Sequence, residues 1–271
     1  MKILVTGSSG FVGKNLIENI EKENEIVLYD IKEGRDILDT KLLSDCLNGV
    51  DTVVHLAALV SAIESWEKPF KYFRTNGEGT LNVVTAAIQK GVKRIIFASS
   101  AAVYGNPLTP YGASKKWAED VLSVYSKQIE VVPLRFFNIY GLNQNPAYGY
   151  VIHNFIKGIK EDGRIDIFGD GKQSRDFIYI NDVIKVIIYF LNNSNKVPTG
   201  AIDIGTGESV TVLKLADKIG NILNKKYAVN LLPKREEPRT SQADLSGLIK
   251  CGFDIKQFLN VEAGLKKLMR F

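Results

Sequence analysis

The sequence predicts an α/β protein built on a doubly wound parallel sheet with a smaller companion region. Two observations carry this. Apolar strand-like runs alternate with amphipathic helix-like stretches through the first half, and continuous apolar runs belong to strands covered on both faces. A glycine-rich turn with Gly7, Gly10 and Gly13 joins the first strand to the first helix. The chain has 271 residues, 45% of them hydrophobic and 24% charged. These proportions support a sizeable core and exclude disorder, collagen-like repeats and a disulfide scaffold.

The elements follow in order. Lys2 to Thr6 reads as a buried strand, and Phe11 to Lys22 as a helix with Phe11, Val12, Leu16, Ile17 and Ile20 on its apolar face. Glu25 to Asp30 is the second strand. The segment Asp36-Ile37-Leu38-Asp39 lies where a third strand ends, before a helix to about Leu47, and Asp51 to Ala57 is another buried strand. Gly77 to Lys90 and Gly112 to Lys127 read as helices, Lys93 to Ala98 and Ile129 to Leu134 as strands. After Arg135 the rhythm loosens. A turn-rich stretch from Gly141 to Gly149 leads to a helix near 150–160, and a short strand lies between Gly163 and Gly171. Phe177 to Ile180 and Ala201 to Ile204 read as strands returning to the main sheet, with a helix from Asn181 to Leu191 between them. Thr211 to Leu223 and Lys256 to Met269 are helical. The division expected is 1–138 for the sheet domain and 139–271 mainly for a second domain, with segments near 177–204 returning to the sheet.

Cys46 and Cys251 have no metal-type spacing, so a reducing, cytoplasmic setting is expected. No run approaches the roughly 18 apolar residues of a membrane helix, and the N-terminus lacks a signal peptide's apolar region, so no membrane partner is expected. The net charge of +5 is spread over short basic pairs interleaved with acids. That pattern reads as a solvated surface and not as a nucleic-acid face.

The glycine turn carries the first chemistry. Its spacing lets the backbone approach a pyrophosphate and points helix N–H groups at the phosphate charge. Asp30, at the end of the second strand, is placed to accept both ribose hydroxyls and to repel a 2′-phosphate, which favours NAD. Asp36 and Ile37 read equally as neighbours of an adenine ring and as a loop acid beside a core aliphatic.

Tyr111-Gly112-Ala113-Ser114-Lys115 places a phenol and an ammonium on one face at a helix start. An unperturbed Tyr near 10 must lose roughly three pKa units, about 4 kcal/mol, to act as a base at neutral pH. Ser100 sits at the C-terminal end of the preceding strand, the end of an open α/β sheet where ligands bind.

The motifs TGSSGFVG, HLAA (55–58), SSAAVYG (99–105), YGASK (111–115), RFFNIYG (135–141), FGDGKQSRDFIYINDV (168–183) and IDIGTGESV (202–210) together resemble the extended short-chain dehydrogenase/reductase family, NAD-dependent epimerases and dehydratases on a Rossmann-type sheet. They are most similar to its UDP-hexose 4-epimerase members. The resemblance implies NAD as cofactor, bound by Gly7, Ser9, Gly10, Phe11, Val12, Gly13, Asp30, Asp36, Ile37, Leu56, Ala57, Ala58, Asn76, Ser99, Tyr111 and Lys115. It implies Tyr111 as general base, Lys115 as the residue that lowers its pKa, and Ser100 as the hydroxyl on the reacting oxygen. A UDP-sugar would meet Ser61, Ser100, Tyr111, Asn138, Val151, Phe168, Arg175 and Arg235. Asn76 also reads as a helix cap, Phe168 as a core aromatic and Ser61 as a loop residue. His55 reads as a satisfied core residue, and no metal site is expected.

Within the family, dehydratases usually carry an acid pair, and decarboxylating members a Glu, in the stretch after Ser100, where this chain has Ala101 and Ala102. The resemblance therefore implies 4-epimerisation of a UDP-hexose through a 4-keto intermediate. The alternatives are an NAD-linked nucleotide-sugar dehydrogenase or reductase, and a non-catalytic NAD-binding member. Ser241, small where the family often narrows the sugar pocket, extends the expectation to N-acetylated hexosamines. Two departures stand out. Five residues, Asn106 to Pro110, join Gly105 to Tyr111 where the family generally has more, and Arg235-Glu236-Glu237-Pro238 lacks the usual Gly-Asp after Arg. A homodimer is expected through the helices 77–90 and 112–127, with Leu81, Val84, Ile88, Trp117, Val121 and Tyr125 on their apolar faces.

Overall fold

A computed structural model describes residues 1–106, 108–145, 150–196, 198, 200–235 and 237–270. The first half contains β1 (Lys2–Thr6), α1 (Phe11–Ile20), β2 (Glu25–Tyr29), α2 (Thr40–Cys46), β3 (Thr52–His55), α3 (Ala62–Glu67), α4 (Pro69–Tyr72), α5 (Gly79–Gln89), β4 (Arg94–Ser100), α6 (Pro110–Tyr125) and β5 (Glu130–Phe136). The second half contains β6 (Asn138–Tyr140), α7 (Val151–Lys157), β7 (Arg164–Phe168), β8 (Ser174–Tyr179), α8 (Ile180–Asn192), β9 (Ile202–Ile204), β10 (Ser209–Thr211), α9 (Val212–Leu223), β11 (Ala228–Leu232), β12 (Thr240–Ser241), α10 (Ser246–Lys250) and α11 (Val261–Met269).

Six parallel strands form a Rossmann-type sheet in the order β2-β1-β3-β4-β5-β9. Adjacent residues along a strand face opposite layers. Ile3, Val5 and Ile96 accordingly join a core under α1 and α8, while Leu4, Ile95 and Phe97 join one under α2, α5 and α6. The first core runs on without a break into the second half through Phe155 of α7, Leu215 and Ile219 of α9 and Leu265 of α11.

Several expectations need correcting. Ile202–Ile204 does pair with β5 in the main sheet, but the strand at 177–180 does not return there. Residues 177–179 are the end of β8, which pairs with β6, β10 and β12 in a second sheet, and Ile180 already begins α8. A third small sheet joins β7 to β11. No strand forms at Asp36 and Ile37. The Asp36 backbone carbonyl accepts from the Tyr29 hydroxyl at 2.8 Å, and Ile37 packs against Gly79. Val84 is buried in the core, so it is not part of an exposed helix face, whereas Trp117 is 41% exposed. Just past the short connection, Gly112 packs so closely on the turn after β4 that a Cβ there would lie 2.5 Å from the Ala102 carbonyl oxygen. Pro107 in that connection, part of the 141–149 stretch and Glu236 lie outside the described residues.

Among the described residues no helix is long and apolar enough to cross a membrane, and no cluster of three metal-ligating side chains forms. Both cysteines are free.

Candidate active site

The glycine turn forms a cradle that leaves no room for side chains. Gly7 adopts φ +68°, a left-handed conformation that favours glycine, and a Cβ there would lie 2.8 Å from the Ala57 nitrogen. A Cβ on Gly13 would lie 2.3 Å from the Gly7 carbonyl. Gly10 caps α1 without a side-chain hydrogen bond, so the first-turn N–H groups of α1 are open to an anion. The Ser8 hydroxyl, buried in this loop, has no hydrogen-bond partner among the described residues. Asp30 is buried at the end of β2 and accepts from Ser9 N at 3.0 Å and Lys32 N at 2.9 Å, which fixes its carboxylate at the rim of the turn. Ser9 also donates from its hydroxyl to Glu33. Phe11 and Val12 begin α1 and pack on the first core. This cradle, with its open helix end and its carboxylate, fits a dinucleotide.

Opposite the turn, Leu56, Ala57 and Ala58 leave the end of β3. Leu56 N and Ala57 N both donate to Thr6 Oγ1 at 3.1 Å. His55 lies directly below. Thr80 Oγ1 donates to the Asn76 carbonyl at 2.6 Å, so it accepts from His55 Nε2, and His55 Nδ1 accepts from Thr6. Burial and the nearby Lys115 push the imidazole down to about 3 and keep it neutral. His55 is a satisfied core residue, as the sequence indicates.

Asn76 is not a helix cap. It sits within a π-helical turn, Phe73–Glu78, a feature frequent at functional sites. Its amide accepts from Leu59 N at 2.8 Å and donates to Leu59 O at 3.0 Å, and it also donates to Ser114 Oγ at 2.9 Å. The Ser114 hydroxyl donates in turn to the Tyr111 carbonyl. One buried amide thus ties the segment after β3 to the first turn of α6.

That turn presents the catalytic candidates. Thr109 caps α6 by accepting from Gly112 N at 3.0 Å, and Pro110 occupies the first position. Burial pushes the Tyr111 phenol up to about 12, and the Tyr150 phenol adds to the rise, while the Ser100 hydroxyl beside it acts in the other direction. Ser100 ends β4, and its Oγ accepts from Ala102 N at 3.1 Å. Lys115, one turn beyond Tyr111, is 3% exposed. Burial pushes its ammonium down to about 7, partly offset by Glu119.

Ser99 points the other way, its hydroxyl donating to Glu119 at 2.5 Å in the layer beneath. Glu119 also takes a two-pronged bond from Arg135, which reaches Tyr104 and through it Asp203. Burial raises the Asp203 carboxyl. This network braces α6 against β5 and β9.

The residues expected at a nucleotide sugar divide in two. Asn138, Phe168, Arg175 and Arg235 gather around β8 and β7. Asn138 donates to the Asp176 carbonyl, Arg175 pairs with Glu237, and the Arg235 guanidinium lies 3.3 Å over the Phe168 ring. Ser241 is the register partner of Arg175. Ser61 instead caps α3, a helix the sequence reading lacks, and Val151 begins α7 packed on the first core.

Sequence reasoning missed Tyr72, which is fully buried. Its hydroxyl accepts from Ser61 N and donates to Glu64, and its ring meets Tyr111 edge-on at 6.2 Å. The available signal was a Tyr one helical turn before Asn76. It also missed Thr6 and Glu119, whose roles depend on pairing across the sheet.

The sequence pattern of the "NAD dependent epimerase/dehydratase family" matches residues 3–205. The Bacillus subtilis (strain 168) protein named "Uncharacterized UDP-glucose epimerase YtcB" is 32% identical, over 91% of this chain and 90% of its own. A UDP-N-acetyl-alpha-D-glucosaminuronate decarboxylase of Bacillus cytotoxicus is 29% identical, over 86% of this chain and 83% of its own. Among solved structures, a UDP-N-acetylglucosamine 4-epimerase from Methanobrevibacter ruminantium, in complex with UDP-N-acetylmuramic acid, superposes with a TM-score of 0.89 at 30% identity, covering 99% of this chain and 97% of that one.

Proposed function

The chain belongs to the NAD-dependent epimerase/dehydratase family, and within it we propose that this protein is an isomerase that inverts carbon 4 of a UDP-hexose. The observation that carries the reading is the Ser100 hydroxyl beside the Tyr111 phenol at the C-terminal end of β4, with Lys115 one helical turn on, followed by a turn, Ala101–Tyr104, that contributes no carboxylate. Dehydration and decarboxylation need a further acid or base on neighbouring carbons. Reversible oxidation and reduction at one carbon does not.

NAD, held by the glycine turn and Asp30, would supply a reversible hydride acceptor and a positive charge. Tyr111 takes the proton of the 4-hydroxyl and later returns it to the 4-keto oxygen, so proton and hydride balance over the cycle. Ser100 donates to that oxygen as negative charge develops. Moving Tyr111 from about 12 to neutral pH requires about 7 kcal/mol of differential stabilisation. We assign that stabilisation to Lys115, one helical turn on, and to the charge of the bound cofactor.

The sugar reading rests on Asn138, Phe168, Arg175 and Arg235 around β8, where planar guanidinium groups suit a diphosphate. The small Ser241, register partner of Arg175, supports extending the substrates to UDP-N-acetylhexosamines along with UDP-glucose and UDP-galactose. A homodimer through α5 and α6 is supported by the exposed Trp117 and Val124 of α6, and sedimentation of the purified chain tests it. Incubating the protein with UDP-galactose and no added reductant tests the reaction. UDP-glucose formed catalytically supports it, and NADH formed in proportion to substrate favours a dehydrogenase instead.

A further inference from the structure

Arg175 is a guanidinium that its own chain already engages. Nη1 donates to the Ser174 and Pro238 carbonyls, both at 2.8 Å, and Nη2 donates to Glu237 Oε2 at 2.5 Å. The Arg175 side chain is 14% exposed and that of Glu237 36%. Gln173 Nε2 reaches the other carboxylate oxygen at 3.4 Å. The same segment is held on either side, by Arg235 over the Phe168 ring and by Arg239, whose two nitrogens donate to Asp170 at 2.8 and 3.0 Å. Glu237 lines a cavity of about 250 Å³ together with Phe168, Gln173 and Arg235.

We propose that Glu237 is a specificity-determining residue of the nucleotide site, an internal carboxylate that holds Arg175 and that a ligand's diphosphate must displace. The proposal rests on the UDP-sugar reading above. A carboxylate and a diphosphate seek the same edge of the planar guanidinium fork. The diphosphate wins on charge, but it must break a charge-assisted bond and then share the cavity wall with the released carboxylate. A nucleoside without phosphates cannot make that exchange. Glu237 therefore weakens diphosphate binding and leaves recognition of the base unchanged.

Calorimetric titration of UDP and of uridine into the full chain and its Glu237→Gln variant tests this. The expected result at 50 mM NaCl is UDP binding roughly three- to tenfold tighter in the variant, with uridine affinity the same in both proteins. Raising the salt to 500 mM shrinks the gain, because competition and attraction are both ionic. Glu237→Ala removes the carboxylate by a different route, must give the same direction, and carries the test if the Gln variant does not fold. Equal or weaker UDP binding in the variants overturns the proposal, as does a parallel gain for uridine, which would signal an opened loop and not a removed competitor. If no form of the protein binds UDP, the UDP-sugar reading falls and the proposal with it. UDP binding of equal strength in all forms sinks the proposal alone.

Discussion

The Lys115 ammonium lies 4.3 Å over the centroid of the Phe97 ring. The contact is favourable for a cation, yet burial still pushes the ammonium down from 10.5 to about 7. Lys115 is thus held in an environment that stability alone disfavours, one helical turn from Tyr111.

Lys115→Met is expected to stabilise the cofactor-free protein while abolishing turnover. A lysine with a depressed folded pKa opposes folding fully below about pH 7, and the penalty fades as pH rises toward 10.5. The gain at pH 7 is on the order of 4 kcal/mol at most, a rise in Tm of roughly 3–10 °C. Melting curves at pH 7 and pH 9.5 check it. The difference between variant and wild type must shrink at the higher pH, and a variant that melts lower at both would contradict the account.

Asn76→Ala removes a buried amide that pairs both backbone groups of Leu59 and the Ser114 hydroxyl. Leaving those groups unpaired costs about 2–4 kcal/mol. Thermal unfolding is expected to shift down by at least roughly 4 °C, and kcat is expected to fall because the first turn of α6 loses its tie. Unchanged melting would show that the amide is not the staple.

Gly7→Ala places a Cβ 2.8 Å from the Ala57 nitrogen on a backbone at φ +68°. Strain of about 1–3 kcal/mol is expected, together with loss of co-purifying NAD. Ala57 must retreat from the turn, so NAD affinity measured by fluorescence quenching is expected to drop at least roughly tenfold. Retained affinity would place the dinucleotide elsewhere.

Asp30→Ala removes the carboxylate fixed by Ser9 N and Lys32 N. NAD affinity is expected to fall roughly 10- to 100-fold, the worth of charge-assisted hydrogen bonds to a ribose, and the preference over NADP to narrow. Parallel titrations with both cofactors check it. An unaltered ratio would remove Asp30 from cofactor selection.

Much of the site was legible because its signals are local. The glycine spacing, Asp30 at a strand end, and Tyr111 one turn from Lys115 are each fixed by a few neighbouring residues and the regular geometry of strand and helix. What escaped depends on partners distant in sequence. Nothing near Phe177 tells whether its strand pairs with β5 or with β6, so the sheet was misassigned. Asn76 looked like a cap because a π turn and an α-helix start share composition, and only Leu59 and Ser114 distinguish them. Tyr72 resembles any buried aromatic until it is placed against Tyr111 and Ser61. Glu237 acquires meaning only when folding brings it to Arg175.

The central claim is that hydride leaves and returns to carbon 4 of one sugar while Tyr111 handles the proton. Turnover of UDP-glucose deuterated at carbon 4 tests it most directly. The account predicts UDP-galactose that retains the label at carbon 4, with no NADH accumulating and no product from a Tyr111→Phe variant. Label washed into solvent, or trapped in released NADH, would contradict it.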